Sequence, residues 1–309
     1  MTINIQDDIL KLNRINVLSK LLQDKTTKRN IMWATDAYND AGELYEKNRE
    51  ISVLALTGSN SGVLKTRARK EMEHRDKRTR QHAEVFTPRW VCKKMNDYAD
   101  EVWFGKKDVF TKDSHPTSKV IFPKDKRWQD YVDSRRLEIT CGEAPFIVSR
   151  YDVETGEMIP VKERIGILDR KLRVVGENVT EEMEWLKWAF RAFQATYGYE
   201  FQGDNLLIAR VNIIMTFEEY MYDKWKRRPT VKEFEKMANI ITWNIWQMDG
   251  LTGTIPYCKG EEEYRQMDIF EMLDKNEDVN KKETECQPNC RIFDWRGKNG
   301  SLEYISLRR

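Results

Sequence analysis

The residues with the clearest chemical potential in this sequence are acids that end short apolar runs, close to glycines. Leu137-Glu138-Ile139-Thr140 is a short apolar run that stops at Cys141-Gly142, and a stretch of helical character follows, which reads as strand, turn and helix. Tyr197-Gly198-Tyr199 is strand-like and ends at Glu200. The run 240–247, IITWNIWQ, is β-branched and aromatic and is closed by Asp249. This arrangement suits a nucleoside. A glycine in a strand-to-helix turn lets the backbone approach a ligand. A helix start offers unpaired amides, and an acid at the end of the second strand can grip ribose hydroxyls.

Other chemistries find less to work with. Cys258, Cys286 and Cys290 supply three thiols, one short of a closed tetrahedral zinc site, so no metal is expected. His74, His82 and His115 stand in no H-x-E, HExxH or Ser/His/Asp context, which leaves hydrolase and metalloprotease chemistry without a foothold. Asp169-Arg170-Lys171 lacks the spacing of a nuclease centre. Tryptophans could stack on unpaired bases, but Trp185 and Trp188 lie at helical spacing and read as core.

The elements that must position these groups alternate. Residues 5–25 place Ile9, Leu12, Ile15, Leu18, Leu21 and Leu22 on one helical face, and a second helical stretch is expected over about 36–50. Past Pro88, RWVCKKMNDYADEVWFG is helical, with Trp90, Val91, Met95 and Tyr98 on one side. Helices are expected over 181–195 and from Asp204 to Trp225, and a further one starts at Lys232. Strands alternating with helices imply an α/β fold with a parallel sheet.

Charge is segregated behind a net +2. Lys65 to His82 holds eight bases and three acids, a local +5, and reads as a helix. It could follow a DNA backbone through Arg67, Arg69, Lys70 and Arg78, or be a solvated helix face with internal ion pairs. Glu261 to Glu285 holds ten acids and four bases, a local −6, and reads as a solvated segment. No apolar run approaches the roughly 18–20 residues that span a bilayer, so no membrane partner is expected. The acidic N-terminus is no signal peptide. Five scattered cysteines then read as reduced thiols in a cytoplasm.

Two segments together resemble a known family. Glu84-Val85-Phe86-Thr87-Pro88, followed by Val91 and Met95, is similar to the turn motif that precedes the cofactor strand in N6-adenine DNA methyltransferases. Leu137 to Phe146 resembles the same enzymes' nucleotide motif, E-P-x-C-G-x-G-x-F. Glu200 stands where that family places its ribose acid, and Asp249 where an acid meets the adenine amino group. Across about residues 30–255 the chain looks like the modification subunits of bacterial restriction-modification systems.

The resemblance implies a partial Rossmann-like core dependent on S-adenosylmethionine (SAM), with a helical N-terminal extension. Region 1–82 would be that extension with its basic helix, and 83–257 the core, with an insertion at about 150–195. Region 258–309 would be an acidic, cysteine-containing tail. Phe86, Thr87, Pro88, Glu138, Cys141, Gly142 and Ala144 would line the methionine and ribose end of SAM, Glu200 the ribose and Asp249 the adenine. Double-stranded DNA would be the substrate.

The departures are equally specific. Ala144 replaces a family glycine and Ile139 a proline; an alanine serves there only if the loop avoids positive φ. The family's catalytic D/N-P-P-Y/F is absent, because no Pro-Pro pair occurs. The nearest stand-ins are Gln287-Pro288-Asn289 and Phe293-Asp294-Trp295. A partner chain carrying the catalytic loop, target recognition or endonuclease is therefore expected. The alternatives are a non-catalytic subunit binding SAM or DNA, and a DNA-binding protein associated with a restriction endonuclease.

Overall fold

The computed structural model describes residues 2–70, 87–113, 115–257, 289–298 and 300–307. The chain is mixed α/β. It begins with helices α1 (Ile5–Arg14) and α2 (Leu18–Leu22), then α3 (Arg89–Phe104), a short antiparallel ladder of β1 (Thr111–Lys112) and β2 (His115–Pro116), and α4 (Trp128–Asp133). Strand β3 (Arg136–Glu138) leads through α5 (Ile167–Asn178) and α6 (Glu182–Gln194) to β4 (Thr196–Glu200). Helices α7 (Gly203–Trp225) and α8 (Val231–Asn244) then lead to β5 (Ile245–Gln247). The three strands form one parallel sheet in the order β3-β4-β5, with Glu138 beside Gly198 and Glu200 beside Gln247.

Alternation along β4 sends Tyr197 and Tyr199 to one face. There they pack with Trp246 against Ile292 and Tyr304, from the C-terminal hairpin of β6 (Arg291–Phe293) and β7 (Ser301–Glu303) and the turn after it. One hydrophobic cluster gathers α1, α2 and α5 to α8. Helix α7 is apolar on nearly every side and buried along most of its length, as a central helix must be. Its start is fixed by packing. A Cβ on Gly203 would lie 1.9 Å from the Met32 carbonyl oxygen, while the Gly203 N–H donates to Trp33 O at 2.8 Å.

Several expectations are corrected. Region 36–50 holds 3-10 turns at Asn39–Ala41 and Glu43–Tyr45 and no α-helix. Its end is stitched to the preceding segment, with Trp33 N donating to Arg49 O and Ile51 N to Ile31 O. The stretch from Ile240 is helical as far as Asn244. The capping box of Thr230 and Glu233 starts α8, and burial of Phe234, Met237, Ala238 and Ile241 carries it through β-branched residues, overriding their strand preference.

The glycine turn at 142 is followed by further turns; the next helix starts only at Ile167, so no helix N-terminus directly follows the motif. Trp185, read as core from its helical spacing, belongs to the main cluster, together with Leu168, Leu172, Val175 and Phe193 of the same two helices, α5 and α6. The basic run has only the 3-10 turn Arg67–Arg69 among its described residues. Residues 71–82, including Arg78, lie outside them, as do Phe86, Cys258, Cys286 and the acidic run 261–285.

Candidate functional site at the strand ends

The parallel strands end together, so the acids that close them come together. Ligands in open α/β sheets bind at this edge. After β3 the chain turns back at once, and Cys141 N donates to Tyr199 O at 2.8 Å. Gly142 N then donates to Glu200 Oε2 at 2.8 Å, while Glu200 Oε1 accepts from the amides of Phe201 and Gln202 at 3.0 and 3.1 Å. Gly198 permits the approach. A Cβ there would lie 2.9 Å from Ile147 Cδ1 and 3.3 Å from Cys141 Cβ.

The turn is strained. Thr140, Gly142 and Ala144 take φ of 49°, 54° and 69°. Ala144 thus holds the left-handed conformation it was expected to avoid, at a cost of roughly 1–2 kcal/mol for a residue with a Cβ. The fully buried methyl group and the contacts of Ala144 N with Cys141 O, and of Val148 N with Ala144 O, hold it there.

Glu138 is half-buried, and burial raises its carboxyl from 4.5 to about 7. Burial also pushes the Cys92 thiol up to about 12, with a further push from Glu138, and holds the Cys141 thiol well above its ordinary value. Both thiols are protonated at neutral pH and act as apolar walls, not nucleophiles. Cys92 packs with Phe146 and Ile165 on the first turns of α3, which Pro88 caps directly after Thr87. Asp249 closes the third strand: its Oδ1 accepts from Leu251 N at 2.8 Å, and Met248 N donates to Glu200 O at 3.1 Å. Of the residues singled out in the sequence, Glu138, Cys141, Gly142, Ala144, Glu200 and Asp249 therefore lie at or just beyond the carboxyl ends of the parallel strands, while Thr87 and Pro88 stand at the start of α3.

Groups that the sequence did not assign to this site fill the same edge. Lys70 is buried and lies 3.3 Å from Asp204, which is fully buried and also accepts from Tyr38 OH at 2.9 Å. Glu143 accepts from Arg67 N at 2.7 Å and Tyr151 OH at 2.6 Å. The start of the basic run is thus a strap pinned to the site, and Lys70 is not available to DNA. Its one legible signal was Asp204 at a helix start. Gln247 clamps the strand end, donating to Met32 O and Phe201 O at 2.8 Å each.

Asp294 and Trp295 are not brought to this edge. Trp295 donates to Asn244 Oδ1 at 2.8 Å, and Asn244 itself bridges Phe193 O and Thr196 O where β4 and β5 begin. Asp294 pairs with Arg135 at 3.0 Å; the Arg296 and Gly297 amides and Arg135 hold its carboxyl below the usual range. They sit at the amino ends of the strands. Asp294 also helps line a cavity of about 180 Å³ with Tyr197, Trp246 and Tyr304. No cluster of ligating residues that could hold a metal occurs among the described residues, and no helix there is long and apolar enough to cross a membrane. Set against known protein families, curated proteins and solved structures, the chain matches none.

Proposed function

We propose that this chain binds SAM at the carboxyl ends of its parallel strands, as the cofactor module of a restriction-modification DNA adenine-N6 methyltransferase. The observation that carries the reading is the shared edge of Glu138, Glu200 and Asp249 beside the strained turn at Gly142. Carboxylates there favour a ligand that donates hydrogen bonds or bears positive charge, and repel phosphates. SAM suits this donor set through its ribose hydroxyls, adenine amine, ammonium and sulfonium. Glu200 would hold the ribose and Asp249 the adenine. Phe86, Thr87, Pro88, Glu138, Cys141, Gly142 and Ala144 would line the remainder.

SAM supplies an already activated methyl group, so the protein's task is to position it against the amine. Nothing at this edge matches D/N-P-P-Y/F, and the position of Asp294 and Trp295 favours a second chain that brings the catalytic loop. Arg67 and Arg69, with Arg78 outside the described residues, remain the candidates for DNA backbone contact.

Titration calorimetry of the purified chain with SAM tests the reading. Glu200→Ala should weaken binding by about 1–3 kcal/mol, the cost of stranding its hydrogen-bonding partners. No SAM binding by the wild type would overturn the cofactor assignment. Tritiated methyl transfer to unmethylated DNA should be absent until the partner chain is added. Strong transfer by the chain alone would refute the two-chain reading.

A further inference from the structure

Helix α3 turns its polar side inward. Its buried line is Cys92, Asn96, Asp100 and Phe104. Asn96 donates to Phe146 O and Ile165 O at 3.1 Å each, and Asp100 meets Arg170 at 2.6 Å. The side that the sequence marks as apolar faces outward: Met95 is 55% exposed, Tyr98 70% and Val102 67%, with Val91 half-buried above them. Their spacing of four, three and four residues is that of a heptad seam. A line of large exposed apolar groups marks an interaction surface.

The charges beside the seam select the occupant. Lys94 and Glu101 each stand one position before a seam residue, on the same flank, while the other flank carries the buried Cys92 and the small, half-buried Ala99. Among the described residues Lys94 has no ion pair, and Glu101, half-buried, has only the exposed Lys107 at 3.8 Å. Two copies of the helix laid antiparallel put Val91 against the partner's Val102 and Met95 against the partner's Tyr98. In that register Lys94 faces the partner's Glu101, and by symmetry Glu101 faces the partner's Lys94. A parallel pairing would set these charges against Cys92 and Ala99 and gain nothing.

We propose that the exposed face of α3 is the interface of a two-fold dimer in which the helix pairs antiparallel with its own copy. At 1.5 Å per residue the helix is about 24 Å long. A seam of this length buries less than the roughly 1,200 Å² of stable complexes, so the dimer is reversible.

Sedimentation equilibrium of the full chain over a range of concentrations tests this. A monomer–dimer equilibrium is expected, and Tyr98→Asp should abolish it while leaving the circular dichroism spectrum unchanged, because the side chain is exposed. Lys94→Glu or Glu101→Lys alone turns two attractions into two repulsions and should weaken the dimer about tenfold. The double variant Lys94→Glu/Glu101→Lys should recover it. A chain that stays monomeric throughout, or a dimer indifferent to these changes, overturns the proposal.

Discussion

Replacing Glu138 by Gln should stabilise the chain at alkaline pH and leave it unchanged in acid. Burial raises the Glu138 carboxyl from 4.5 in the unfolded chain to about 7 in the folded one. Below pH 4.5 the group is protonated in both states and contributes nothing to the pH dependence. As pH rises from 4.5 through 7 the unfolded chain ionises first, so the folded state loses stability, and above 7 the full penalty stands. At about 1.36 kcal/mol per pH unit the difference amounts to about 3 kcal/mol, trimmed to about 2–3 because the carboxyl is only half-buried. Glutamine keeps the shape and removes the charge. Urea unfolding of both proteins at matched pH values isolates the effect, since every other titrating group is common to both. The gain should be near zero at pH 4 and about 2–3 kcal/mol at pH 8. A gain independent of pH, or none at all, would refute the argument that a carboxylate is held at this strand end against its solvation.

Gly198→Ala should cost about 1–3 kcal/mol in thermal or chemical unfolding, because the new Cβ meets Ile147 and Cys141 in a buried layer; an unchanged midpoint would show that the turn does not press on β4. Lys70→Ala removes a buried ion pair to Asp204 and should cost more than about 1 kcal/mol, whereas Arg69→Ala, at an exposed position, should stay within about 0.5 kcal/mol. Equal, small effects of the two would restore Lys70 to the list of solvent-facing bases.

Local patterning settled the helices whose apolar spacing agrees with their burial. Ile9, Leu12, Leu18 and Leu21 mark α1 and α2, because burying one stripe leaves a periodic trace, and the long, mostly apolar run from Gly203 to Trp225 marks α7 by its length. The acids Glu138, Glu200 and Asp249 were legible for a related reason: each ends an apolar run, and parallel strands bring their ends to one edge. In α3 the periodicity marked the helix but not which side is buried. Polar Asn96 and Asp100 are the inner groups there because Arg170 and two carbonyls satisfy them, and those partners lie about fifty or more residues away.

Sequence alone therefore determined an alternating α/β chain, the acids at its strand ends and the absence of a D/N-P-P-Y/F tetrapeptide. Only the tertiary structure decided that Lys70 is buried against Asp204, that Ala144 takes a positive φ, that IITWN is helical and that Asp294 sits at the opposite end of the strands. The physical reason is range. Helical and strand periodicity record how a segment buries its own side chains. Ion pairs, strained turns and the end of the sheet to which a loop returns depend on groups far apart in sequence, whose meeting leaves no local pattern.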